Sequence, residues 1–355
     1  MKSIAWRLLG GAAAILGLMA PQSGLGQPAA SDVSALAKEV AGRGWILFSA
    51  KTQHGDYDLF LCRPDGSDRR NLTRTAGASE FGGRFSPDHQ RMLYRSQTLS
   101  PANAEAGAIN HDLWGTRGTL VIANADASAP QVQGAEGEFP WACWGPDGKS
   151  IACLYKREGR IRIVDLASKK VIRELPSRGI FQQLFWSPDG KRLCGTANLN
   201  GQNWNVVSID LATGAETLLT RSLNCTPDWF QGDSQRVIYS SRVPGLASDY
   251  GWTMLMQASA DGKSRTLICG ERGRHLYYGC TSPDDKYVIF ACPESDGGTD
   301  ANLALVRLAD TPIIVPEDYA QLRALYPKAK NGPILRLPTP GFEPHWTYAE
   351  VGAPK

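Results

Sequence analysis

Aromatic planes set beside amide and charged groups suit a sugar ring or an extended peptide, and this 355-residue sequence offers that combination at several points. One stretch, from Gln97 to Gly118, holds His111 and Trp114, and another, from Arg242 to Trp252, holds Tyr250 and Trp252. Trp204 lies in an Asn-rich segment, His54 in a short polar one, and Arg178, Arg221, His275 and Tyr277 stand just ahead of apolar runs. These ten residues are the candidate ligand contacts, and the same connections add Glu80, Glu138, Gln182, Gln183 and Arg274. A catalytic set does not emerge. The five histidines fall in five separate segments without a His-x-His or His-Glu-x-x-His grouping, so no metal site and no cofactor is expected. The spacing of the eight cysteines matches no zinc pattern, and Ser295 to Asp300 lacks the carboxylates of a dedicated calcium loop. Glu80 and Glu138 have the chemistry of an acid and base pair, but sequence does not give their separation.

Positioning such residues falls to a repeated phrase: an aromatic anchor, a Ser-Pro-Asp-Gly-like turn, a basic residue and an apolar strand. It reads Phe85-Ser86-Pro87-Asp88, Trp144-Gly145-Pro146-Asp147-Gly148, Trp186-Ser187-Pro188-Asp189-Gly190, Trp229 to Asp233 in degraded form, and Thr281-Ser282-Pro283-Asp284. Trp346 is a sixth anchor without its turn. Successive anchors lie 59, 42, 43, 52 and 65 residues apart, and such periods filled with short strands predict a propeller. Proline presets the turn, aspartate caps it and glycine accepts positive φ, so the phrase itself is a hairpin device. The expected fold is all-β: a six-bladed propeller of four-stranded blades, closed by pairing the C-terminal strand around Trp346 with the N-terminal strand Trp45 to Phe48. Segments joining second to third strands then share one face with the inter-blade connections, and that face carries all ten candidates. The insertion from Asp310 to Gly332 leaves by the other face and is expected to form a short helix, Glu317 to Tyr326, on the underside.

The phrase Asp58-Leu59-Phe60-Leu61-Cys62-Arg63-Pro64-Asp65-Gly66-Ser67 followed by Asn71-Leu72-Thr73 resembles the propeller repeats of the TolB family and its WD40-like (PD40-type) relatives. The resemblance runs from about residue 44 to 350 and implies the propeller part alone, since only Ser31 to Arg43 stands where that family carries an α/β domain. Peptidases with similar propellers keep their nucleophile in a hydrolase domain, and no Gly-x-Ser-x-Gly elbow is present here. What the resemblance implies is a non-catalytic binding or scaffold module for a protein, peptide or glycan in the cell envelope. The alternative is a carbohydrate-active propeller, similar to oligogalacturonate lyases, that works through the axial channel.

Composition sets the outer bounds. With 42% hydrophobic and 21% charged residues the chain is globular, and its formal charge of +3 falls to +1 without Lys2 and Arg7. So small a charge gives no footprint for nucleic acid. Lys2 and Arg7 precede an apolar stretch, Leu8 to Ala20, that is shorter than the roughly 20 residues a bilayer requires. Residues 1–30 therefore read as a signal peptide cleaved near 26 or 30, followed by a lead of residues 31–43, a propeller of residues 44–350 and a tail of residues 351–355. The product is expected in the periplasm or outside the cell, without a membrane anchor and as a monomer. Cysteines in such a compartment are small buried hydrophobes or disulfide partners, with Cys143 and Cys153 the most plausible pair.

Overall fold

In the computed structural model the described residues are 30–98, 118–199, 201–221, 223–242, 253–271, 273–294, 301–308, 313–314 and 332–352. They form six antiparallel sheets arranged as the blades of one propeller, each numbered here by its place in the ring. Blade 1 joins the innermost strand Phe342–Thr347 to Trp45–Lys51, Tyr57–Cys62 and Arg70–Asn71. Blades 2, 3 and 4 start from innermost strands Ala78–Phe85, Cys143–Trp144 and Ile180–Trp186. Blades 5 and 6 start from Asn224–Trp229 and Tyr277–Thr281.

The ring closes through the two ends of the described chain. Trp45 pairs with Thr347, Ile46 with Trp346 and Leu47 with His345, so the sixth anchor completes the sheet opened by the first strand. Trp346 is fully buried and its indole N–H donates to the Arg43 carbonyl at 2.7 Å. Closure in this form removes the free edge that an open sheet would present to solvent.

Alternation along the strands sends one side chain in two into the gap between neighbouring blades, and six apolar clusters fill the six gaps. Trp144 donates across its gap to the Arg84 carbonyl at 3.1 Å, and Trp229 to the Phe185 carbonyl at 3.2 Å. These two anchors thus bury their rings and use their N–H groups to staple one blade to the previous one. Trp186 differs: it turns its N–H to Gly190 of its own turn. A helix, Ala30–Val40, lays Leu36 and Val40 into the cluster between blades 6 and 1. Its Glu39 accepts hydrogen bonds from Tyr287 and Arg307. No helix of the described residues is long and apolar enough to cross a membrane.

One expectation needs revision. Cys143 and Cys153 are unbridged, as are the other six cysteines, and all eight are buried. The reason is register: Cys143 stands opposite Ala152, so Cys153 points to the other face of the sheet and into a different cluster. The insertion between the third and fourth strands of blade 6, Asn302–Arg307 and Leu335–Pro340, sends Ile313–Ile314 back to blade 5, where it pairs with Thr266 and Leu267 as a fifth strand. The proposed helix from Glu317 to Tyr326 lies outside the described residues.

Candidate binding face and axial channel

Each innermost strand breaks its ladder, or in blade 3 leaves it, at the residue three positions before the anchor, and blade 4 carries a second shift between Ile180 and Gln182. At that point the backbone is left-handed in every blade: Gly82 (φ 64°), Trp141 (49°), Gln183 (58°), Thr226 (48°), Tyr278 (56°) and Glu343 (51°). Such a φ is rare for non-glycine residues and most unusual for a β-branched one, and it costs roughly 1 kcal/mol per residue. Six blades adopt it because the bulge twists the strand where the sheets converge. The six residues line one cavity on the ring axis.

Two residues further along the same strands stand Arg84, Cys143, Phe185, Asp228, Cys280 and His345. Arg84 and Asp228 come from blades 2 and 5, which face each other in a six-membered ring, and their side chains meet at 3.0 Å. An ion pair therefore crosses the channel. Arg84 also stacks on Phe185 at 4.7 Å, and Asp228 accepts the Trp229 N–H at 2.8 Å. Burial works against the guanidinium, but the carboxylate beside it holds Arg84 above the usual arginine range. Burial lifts Glu343 to about 7 against the pull of Arg84 and the Gly82 N–H. Burial, reinforced by Arg84 and then His89, keeps His345 neutral, and its Nδ1 accepts the Phe85 N–H at 3.1 Å.

On the ring face, Trp204 at the second hairpin of blade 4 touches Phe181 edge-on at 6.1 Å and carries Arg242 over its ring at 5.1 Å. Arg242 donates to the Tyr277 hydroxyl at 3.3 Å, and Tyr277 stacks on His275 at 6.2 Å. Blades 4, 5 and 6 thus contribute to one arc, which Lys156 of blade 3 extends by standing 5.4 Å from Phe181. Three of the ten sequence candidates, Trp204, Tyr277 and His275, are brought together here. His275 and Tyr277 are each only 5% exposed, so they back the arc while Trp204 and Arg242 meet solvent.

The other candidates are placed apart. His54 is exposed beside an open groove of about 510 Å³ on blade 1, together with Asp56, Arg69 and Asn71. Arg178 and Arg221 are exposed on their inter-blade connections. His111, Trp114, Tyr250 and Trp252 lie outside the described residues. Glu80 faces Asp58 and not Glu138: burial, with Asp58 adding to it, lifts Glu80 to about 8, against the hydroxyls of Ser96 and Thr73. Glu138 is exposed and caps its own loop at the Ala135 N–H. Among the described residues no three His, Cys, Asp or Glu side chains are grouped to hold a metal ion. Sequence reading missed Arg242 and, apart from Gln183, the axial ring, yet a signal was present: counting back three from each anchor names all six ring residues.

No family model matches the sequence, and no curated protein is similar to it. Among solved structures it is similar to TolB from Acinetobacter baumannii, with a TM-score of 0.58 and 16% identity over 86% of this chain and 67% of that one. It is also similar to a putative TolB from Agrobacterium tumefaciens, at a TM-score of 0.52 and 19% identity over 74% of this chain and 84% of that one. A chain of a nidogen/laminin complex gives 0.53 and 11% over 76% and 93%. At these identities the shared property is the six-bladed propeller of TolB type.

Proposed function

We propose that the protein is an exported, TolB-like propeller that acts as a non-catalytic binding module in the cell envelope, periplasmic or secreted. Its ligand is an extended protein segment, peptide or glycan laid across the arc of Trp204 and Arg242. The observation that carries this reading is the convergence of side chains from blades 4, 5 and 6 into one stacked aromatic and cationic array. A flat ring face offers length, and an indole and a guanidinium held in place lose little entropy when a ligand covers them. The export part of the proposal rests on Lys2, Arg7 and the apolar stretch that follows.

The test is retention of envelope proteins, peptidoglycan fragments and oligogalacturonates on the immobilised protein, followed by calorimetry on whatever is retained. Trp204→Ala and Arg242→Ala should each weaken binding by about 2 kcal/mol, a graded loss of roughly thirtyfold. Turnover of oligogalacturonates that a single channel substitution abolishes would replace this reading with the carbohydrate-active one.

A further inference from the structure

The axial cavity is separate from the ring-face arc, and its wall holds polar atoms that nothing in the protein satisfies. The Trp141 indole nitrogen and Glu343 Oε2 are buried and make no hydrogen bond. Arg84 Nη1 lies on the same wall, held by its ion pair with Asp228 Oδ2 at 3.0 Å. Leaving a buried polar group unmade costs about 1–3 kcal/mol, and here two such groups, from blades 1 and 3, line the same space as the Arg84 guanidinium of blade 2. All three sit on or next to the left-handed ring, whose strained backbone puts Trp141 and Glu343 on the axis.

The chemistry of the wall selects the ligand. Trp141 offers only a donor, Arg84 offers only donors, and the protonated carboxyl of Glu343 donates as well. The groups facing Glu343 do not supply a competing acceptor. Asp228 is already engaged by Arg84 and the Trp229 N–H, and His345 Nδ1 is taken by the Phe85 N–H. Cys143 and Cys280 are thiols whose ionisation burial pushes up to about 12. Burial likewise holds Tyr278 well above the usual tyrosine range. Arg95, on the same wall, is turned to the carbonyls of Phe139 and Gly118 at 2.6 and 3.0 Å and adds positive charge. Converging donors with a net positive wall call for an oxyanion, and apolar flanks from Phe81, Leu93 and Phe185 call for a short alkyl group on it. The space open to the centre of a water-sized sphere is about 70 Å³. At roughly 10–15 Å³ per water in that measure, it holds about five non-hydrogen atoms.

We infer that the axial cavity binds a small monocarboxylate of two or three carbons, its oxygens meeting the Trp141 indole N–H, the Arg84 guanidinium and the Glu343 carboxyl. Binding takes up a proton, because the ionised Glu343 would repel the ligand and could not donate to it. Affinity should therefore fall about fivefold between pH 7 and 8 and approach tenfold per pH unit beyond that.

Sodium acetate, sodium propionate and methylammonium chloride are titrated into the full chain, with calorimetry and the indole N–H resonances as readouts. Acetate and propionate should bind saturably at about pH 6 and shift the Trp141 indole signal, with roughly fivefold weaker binding at about pH 8 than at about pH 7. Trp141→Phe should weaken acetate at least tenfold. Glu343→Gln, which keeps a donor in place, should bind acetate without the pH dependence, and it serves if the tryptophan variant fails to fold. Trp204→Ala on the ring face should leave acetate binding unchanged, so loss of the arc's function and loss of this site are told apart. Absence of saturable binding up to about 50 mM acetate at low pH, binding of methylammonium in its place, or unchanged affinity in the Trp141 variant would overturn the assignment.

Discussion

Two levels of the same six strands behave in opposite ways. At the lower end, the turns after the anchors repeat both their backbone and their chemistry: Ser86 donates to Asp88 at 2.5 Å, Ser187 to Asp189 at 2.7 Å and Ser282 to Asp284 at 2.7 Å. Three residues before the anchors the backbone repeats just as faithfully, with a left-handed φ in every blade, but the side chains are a glycine, an indole, an amide, a hydroxyl, a phenol and a carboxyl. A hairpin needs the same caps each time, so selection for folding writes the same letters. A bulge needs only the conformation, which several residue types can adopt at a tolerable cost, so the side chains there are free to diverge. The level that repeats in shape and varies in chemistry is where a propeller of this kind acquires a particular ligand.

The sharpest way to break that comparison is to attack the ion pair just below the ring. Arg84→Met leaves Asp228 buried without its partner, and removal of one member of such a pair typically costs about 3–5 kcal/mol. Urea unfolding should show that loss, and the double substitution Arg84→Met with Asp228→Leu should recover most of it, because the desolvation cost disappears with both charges. If the single variant unfolds at the same urea concentration as the parent, the pair is a solvated contact and the floor of the channel is open.

This contrast also explains what could be read from the sequence. The fold was legible because the Pro-Asp turns are written alike in four of the six blades, and because Trp346 and Trp45 to Phe48 are the two halves of one sheet. The arc was legible in part: Trp204, Tyr277 and His275 were visible as types, while Arg242 sits at the end of a strand that reads as ordinary β structure. The axial ring was hidden because its common property is a backbone angle, and Trp141, Thr226 and Glu343 share nothing that composition or periodicity detects. Cys143 and Cys153 misled for the reverse reason, since their strands are adjacent but their register sets the thiols on opposite faces.

A second effect, smaller than the first, comes from Glu80, two residues above the ring in blade 2. Its folded pKa of about 8 lies above the ordinary 4.5, so the folded state holds a proton that the unfolded chain has lost. The sign follows: this group's contribution is fully present below about pH 4.5 and is lost as pH rises through about 8. Glu80→Gln keeps a neutral group beside Asp58 and should remove that slope, gaining on the order of a few kcal/mol over the parent at about pH 9. Glu343, lifted to about 7 by burial, leaves a residual slope of the same sign in that variant. Denaturant midpoints measured across the range should separate the two, and a Glu80→Gln curve parallel to the parent's would show that the Asp58 and Glu80 pair shares no proton.

The smallest effect tests the ring itself. Gly82 is the one ring position with no side chain, and a methyl built there meets nothing closer than Glu343 Oε2 at 3.6 Å, an ordinary contact. Space is therefore not the obstacle, and any cost of Gly82→Ala reports the backbone alone. At φ 64° that cost should be about 1 kcal/mol, the same quantity the other five blades already bear. Thermal unfolding in parallel with acetate binding gives the measurement. A loss of that size with the binding intact means that the bulge holds its shape against the penalty, so conformation at this level is imposed by the converging sheets and not by the residue that occupies it. A loss of several kcal/mol would mean instead that glycine is required in blade 2, and the freedom of side-chain choice argued for the ring would shrink to the five positions that lack it.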